Sequence, residues 1–133
     1  MNRIQFSEDW DKLREPRFTT IRSYCPAKEE YYRELVGRDF VVWRKTGRSI
    51  RNGHKIGTAT LLSVQVVRPC DLPAGDIHRD VLRGGKPDLR WMQRLLEMDR
   101  ALLLEFENHT GILAWACGRG GSERTRARPD QTA

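Results

Sequence analysis

From Lys55 the chain reads KIGTATLLSVQVV before Pro69 stops it, and no other stretch limits the possible folds as much. Ile56, Thr58, Thr60 and Leu62 recur at every second position with small or apolar neighbours between them, which is the period of a strand. A strand of this length needs a partner. Phe40 to Trp43 (FVVW) supplies one: an unbroken apolar run of strand formers that reads as buried on both faces or set in a barrel wall. Gly47 and Gly53 turn the chain between the two runs, so together they form a long hairpin. The sheet is therefore expected to be largely antiparallel.

The remaining elements are short. Ile4 to Phe6 is an opening strand, and SEDWDKLRE is a turn or short helix with Trp10 and Leu13 three apart on one face, ended by Pro16. Phe18 to Arg22 is a further strand. Pro26 opens a helix through KEEYYRELVG, in which Tyr32, Leu35 and Val36 fall at helical spacing, Glu29 and Arg33 form an i,i+4 pair, and Gly37 stops the chain. Asp71-Leu72-Pro73 leads into a short helix around Asp76 to Leu82 that ends at Gly84 and Gly85. Pro87 and Asp88 open a third helix with Leu89, Met92, Leu95 and Leu96 on one stripe. Ala101 to Glu107 (ALLLEFE) is a closing strand, and TGILAWACG after it fits a strand or a helix equally well. Five or six short strands without a repeating β-α-β unit describe an α+β protein: a small, mostly antiparallel barrel or curled sheet with peripheral helices.

With 133 residues the chain has room for one domain, taken as residues 1–117, and a basic tail, 118–133, expected to be disordered. No window approaches the roughly 18 apolar residues of a membrane span, so a soluble protein with no membrane partner is expected. Cys25, Cys70 and Cys117 are few, far apart and outside any C-x-x-C pair, which suits a reducing cytoplasm. His54, His78 and His109 show no ligand spacing, so no metal site is expected; no cofactor is expected either. The net charge is +6, and RKTGRSIRNGHK, Arg44 to Lys55, holds five basic residues and no acid. Such a segment favours an anionic partner, although a solvated hairpin loop has the same composition.

RFTTIRS is the least core-like of the strands. Phe18, Thr20 and Arg22 share one face while Arg17, Thr19 and Ile21 share the other, and neither face is purely apolar. Hydroxyls and guanidinium groups stand where a core strand would carry Val, Ile or Leu. That hydrogen-bonding capacity suits a polar ligand.

In order and spacing, roughly residues 2 to 108 resemble the ASCH domains of the PUA-like superfamily. The resemblance rests on the opening strand at Ile4 to Phe6, R-F-T-T-I-R at Arg17 to Arg22, G-R-D-F-V-V at Gly37 to Val42, I-G-T-A-T-L-L-S-V at Ile56 to Val64, D-L-P at Asp71, and A-L-L-L-E-F at Ala101 to Phe106. It implies a β-barrel with a cleft into which the T-x-R strand presents Thr20 and Arg22, in a module that binds nucleic acid, RNA foremost. Arg17 would join that site, and Arg44, Lys45, Arg48, Arg51 and Lys55 would form a basic rim. One branch of the family resembles acetylcytidine amidohydrolases, with a Lys-x-x-Thr pattern and a glutamate farther along. Arg17 matches the lysine, Thr20 the threonine and Asp80, by distance, the glutamate. A guanidinium at Arg17 is a poor general base, so a hydrolase acting on a modified nucleoside or RNA through Thr20 and Asp80 would need His78 or a water instead. A third reading is an adaptor whose basic loop, Tyr31 and Trp43 meet an acidic protein. The oligomeric state is left open.

Overall fold

Alternation along the closing strand accounts for the centre of the molecule. In the computed structural model, which describes residues 2–46 and 52–109, Leu102, Leu104 and Phe106 of that strand are completely buried. It forms the ladder between two other strands. The chain runs β1 (Asn2–Phe6), a 3₁₀ turn (Asp11–Arg14), β2 (Arg17–Ser23), α1 (Pro26–Glu34), β3 (Asp39–Lys45) and β4 (Gly53–Val67). A second 3₁₀ turn (Pro69–Asp71) follows, then α2 (Ala74–Asp80), the short pair β5 (Leu82–Arg83) and β6 (Lys86–Pro87), α3 (Leu89–Leu96) and β7 (Ala101–Asn108).

The main sheet has the order β1-β3-β4-β7-β2. Every pairing in it is antiparallel except β1 with β3, which run in parallel with Ile4 opposite Val42 and Phe6 opposite Arg44. The fold is thus α+β with a mostly antiparallel sheet. Its two edge strands, β1 and β2, come together in space: Arg22 Nη2 donates to the Gln5 carbonyl at 2.8 Å, and the Phe6 and Phe18 rings meet edge to face with centroids 5.9 Å apart. Phe18 stacks on Phe106, which meets Phe40 edge to face. Aromatic rings from four strands thereby fill the concave side of one curled sheet.

Alternation on β4 differs from the sequence reading. Ala59 and Leu61 are buried, not the set Ile56, Thr58, Thr60 and Leu62, and a bulge between Leu61 and Ser63 reverses the parity so that Val64 faces inward next. β3 also departs from the expectation of burial on both faces. Phe40 and Val42 are fully buried while Val41 and Trp43, on the other face by strand alternation, are only partly so. On α3, Leu95 is buried, whereas Leu89 is 69% exposed and Leu96 is exposed as well. Trp91, off the expected stripe, packs on the core with Met92 instead. The expected tail, 118–133, and the unassigned TGILAWACG segment lie outside the described residues, as do Arg48 and Arg51.

Candidate functional site

The free edges of β1 and β2 border a cleft of about 240 Å³. β1 contributes Gln5 and Phe6 with Ser7 after it, β2 contributes Thr20 to Ser23, and α2 with the residue following it contributes Asp80 and Val81. Trp91, Leu95 and Met98 close it from the α3 side, and Trp10 and Lys12 enter from the first 3₁₀ turn. Trp10 and Trp91 meet edge to face with centroids 6.0 Å apart. A cleft of this size is small by the standard of drug-sized pockets, which begin near ~300 Å³, and suits one ring system.

Its polar floor is two bonded groups side by side. Lys12 Nζ lies 3.6 Å from Asp80 Oδ1, with both side chains about 95% buried. Thr19 donates its hydroxyl to the same Oδ1 at 2.7 Å. Arg22 Nε donates to the Thr20 hydroxyl oxygen at 3.1 Å, and the guanidinium stands 4.9 Å from the Phe6 ring centroid. Thr19 and Thr20 point to opposite faces of β2, yet both come near Asp80's surroundings because α2 packs against that strand.

Burial dominates the electrostatics. It drives the Lys12 ammonium down to about 8, assisted by the Arg22 charge and opposed by Asp80. The same desolvation raises the Asp80 carboxyl above the ordinary range, against the pull of Lys12, Thr19 and Arg22. Arg22 is also lowered by burial, but a guanidinium stays charged throughout the pH range of a folded protein.

Lys12 is held by its neighbours on the turn. Asn108, buried on β7, donates its amide to the carbonyls of Leu13 and Glu15, each at 2.8 Å, and Asp11 accepts the backbone N–H groups of Gly84 and Gly85, each at 2.8 Å. Those glycines link β5 to β6 with φ of 63° and 82°, a left-handed pair that a two-residue hairpin of this type requires. The turn carrying Lys12 is thus tied on one side to the sheet and on the other to the segment after α2.

Of the residues expected from sequence, the cleft brings together Thr20, Arg22 and Asp80. Arg17 is not among them. Its side chain is 67% exposed and pairs with Glu105 at 3.5 Å, since strand alternation that turns Phe18 and Thr20 inward turns Arg17 out. His78, exposed on α2, does not line the cleft either. Arg44, Lys45 and Lys55 lie at the base of the β3–β4 hairpin. Arg44 pairs in register with Phe6, the last residue of β1, so the hairpin continues past the end of β1, but none of the three lines the cleft. Lys12 was missed in the sequence because a lysine within SEDWDKLRE reads as solvated. The available signal was its neighbour Leu13: successive residues of a 3₁₀ turn are about 120° apart, and a short turn under a sheet can bury two of them.

Among the described residues no group of three or more His, Cys, Asp or Glu side chains is placed to hold a metal, and no helix is long and apolar enough to cross a membrane. Over 82 residues the chain is 35% identical to an uncharacterized protein of Methanocaldococcus jannaschii; the match covers 60% of this chain and 61% of that protein. The chain thus spans less than two thirds of the length of that relative. No family model and no solved structure matches.

Proposed function

We propose that the protein is an ASCH-like nucleic-acid-binding module, directed foremost at RNA, whose cleft receives one unstacked base. The observation that carries this reading is the combination, in one cleft, of aromatic walls from Phe6, Trp10 and Trp91 with the hydrogen-bonding set Lys12, Thr20, Arg22 and Asp80. Single-stranded RNA is recognised in this way, by rings that stack on a splayed base and polar groups that meet its edge. The approach of β1 to β2 across the Arg22–Gln5 bond supports a PUA-like barrel, closed there by side chains. The hairpin base beside Phe6, with Arg44, Lys45 and Lys55, supports a phosphate-contacting rim.

The test is fluorescence anisotropy of labelled single-stranded RNA, duplex RNA and DNA at low and near-physiological salt. Wild type should prefer single-stranded RNA, and Arg22→Ala should erase the preference. Equal binding of all three that salt abolishes would reduce the protein to a non-specific polycation and sink the reading.

Lys12 favours a second reading, a hydrolase of a modified nucleoside or RNA. In the branch of the family with a Lys-x-x-Thr pattern the lysine activates the threonine. Lys12, buried beside Asp80 and lowered to about 8, is a better base than Arg17. On this reading the neutral Lys12 amine, which stands outside the Lys-x-x-Thr spacing but lines the same cleft as Thr20, takes the Thr20 hydroxyl proton as Oγ1 attacks an acyl carbon. The C–N bond then breaks, the departing amine regains the proton, and water hydrolyses the acyl-threonine ester.

A further inference from the structure

The cleft holds more positive charge than its own carboxylate balances. Lys12 and Arg22 both line it, and Asp80 is the one acidic side chain among the lining residues. Asp80 is committed to Lys12 and Thr19, and both contacts fall on Oδ1. Arg22 makes no ion pair among the described residues: Nε bonds the Thr20 hydroxyl, Nη2 bonds the Gln5 carbonyl, and the Phe6 ring centroid lies 4.9 Å from Cζ. Those partners are all neutral. The Asp80 charge reaches Arg22 only through space and is shared with Lys12, so the desolvated guanidinium has no charged hydrogen-bond partner of its own, and a ligand that brings a strong acceptor relieves that cost.

The same bonds make Arg22 selective. Two points on different strands fix the guanidinium plane, while Nη1 has no hydrogen bond among the described residues. Lys12 supplies further N–H donors beside it. An exocyclic amine brought to these donors would set N–H against N–H, whereas a ring carbonyl would accept from them. Keto bases also carry an N–H next to that carbonyl, at N1 of guanine and hypoxanthine and at N3 of uracil. The Asp80 carboxylate, whose Oδ2 makes no hydrogen bond among the described residues, is the acceptor the cleft offers to such a group.

We propose that the cleft selects keto-bearing bases (guanine, hypoxanthine, uracil) over amino-bearing ones (adenine, cytosine), with Arg22 as the residue that discriminates. The proposal rests on the base-binding reading above. Its test uses two ligand pairs that differ in the relevant oxygen: inosine monophosphate against adenosine monophosphate, and uridine monophosphate against cytidine monophosphate. Binding to the full chain is followed by the emission of Trp10 and Trp91, which line the cleft, and by calorimetry. The keto member of each pair should bind about tenfold tighter, the discrimination usual for a side-chain fork on a base edge. Arg22→Gln should bring each pair to within about twofold, with the larger loss falling on the keto member. Arg22→Lys, which keeps the charge and loses the fork, should show the same loss if the first variant does not fold. Wild-type binding of both members of a pair with equal affinity, or preference for the amino base, would overturn the proposal and leave the base pocket standing. No binding of any nucleotide by calorimetry would remove the pocket reading itself, and the keto preference with it.

Discussion

Replacing the buried pair with uncharged groups of similar size, as in Lys12→Met/Asp80→Asn, should change the pH dependence of stability in a direction that is fixed in advance. Lys12 sits at about 8 in the folded protein against 10.5 for a free lysine, chiefly because it is buried. Between those values the unfolded chain binds a proton that the folded chain does not, so stability rises with pH across that window. At about 1.4 kcal/mol per pKa unit the full gap is worth about 3 kcal/mol, of which about 2 kcal/mol should have developed by about pH 9.5. Asp80 acts in the opposite sense at the acid end. Its raised folded pKa means that the unfolded carboxylate ionises first, so its contribution falls as pH rises from 3.8 through the folded value. The Tyr32 hydroxyl, raised by burial, erodes stability above its ordinary value of 10, but equally in both chains. The assay is urea unfolding of wild type and double variant in steps from about pH 6.5 to about pH 10, with the difference in unfolding free energy taken at each step. Wild type should gain on the variant above about pH 8. A difference that stays constant from about pH 7.5 to about pH 10 would mean that Lys12 titrates as a solvated lysine, and the account of the cleft floor would be wrong.

Arg94 stands 5.1 Å from the Trp91 ring centroid with no ion pair among the described residues, at the edge of the cleft wall. On the RNA-binding reading, Arg94→Ala should weaken binding without altering base preference and reduce the salt slope by about 0.7 on single strands, as read by anisotropy across a salt series. Asn108→Ala removes the donor to two carbonyls of the Lys12 turn and should cost about 1–3 kcal/mol by denaturant melts. If the cleft hydrolyses an acylated nucleoside, kcat/KM should rise with pH through an apparent pKa of about 8 as Lys12 becomes neutral, and Thr20→Ala should abolish turnover.

The strand segments were legible because their apolar positions recur with short periods and their ends carry Gly or Pro. β1, β2, β3, β4 and β7 fall where those patterns place them, and α3 begins at the expected Pro87-Asp88 entry, with Asp88 accepting the Trp91 backbone N–H. Facing was harder. The bulge between Leu61 and Ser63 reverses inside and outside on β4, and nothing local in TLLSV announces it. The parallel pairing of β1 with β3 was likewise hidden, since it depends on where β1 lies after the chain has folded. In the cleft, Thr20, Arg22 and Asp80 were reached through the strand pattern and the family resemblance, while Lys12, Thr19 and Trp91 were not. A lysine among charged neighbours looks solvated until the elements that cover it are in place. Arg17 illustrates the reverse error: it fits a spacing pattern, but the parity of its strand points it toward Glu105 and solvent.

One consequence of the topology joins architecture to recognition. β1 and β2 are the unpaired ends of the sheet, and an unpaired edge exposes backbone groups that need partners. Arg22 meets that need on β1 by bonding the Gln5 carbonyl, and the same bond anchors the guanidinium in the cleft wall. Were β1 and β2 zipped by a full backbone ladder, the Gln5 carbonyl would be occupied and the cleft between the edges would close. On the base-binding reading, the opening in the sheet is what makes room for the base, and the side chain that spans it is the one placed to read it. This also explains why a strand in contact with the core keeps Thr20 and Arg22 at positions where alternation alone would favour Val or Leu.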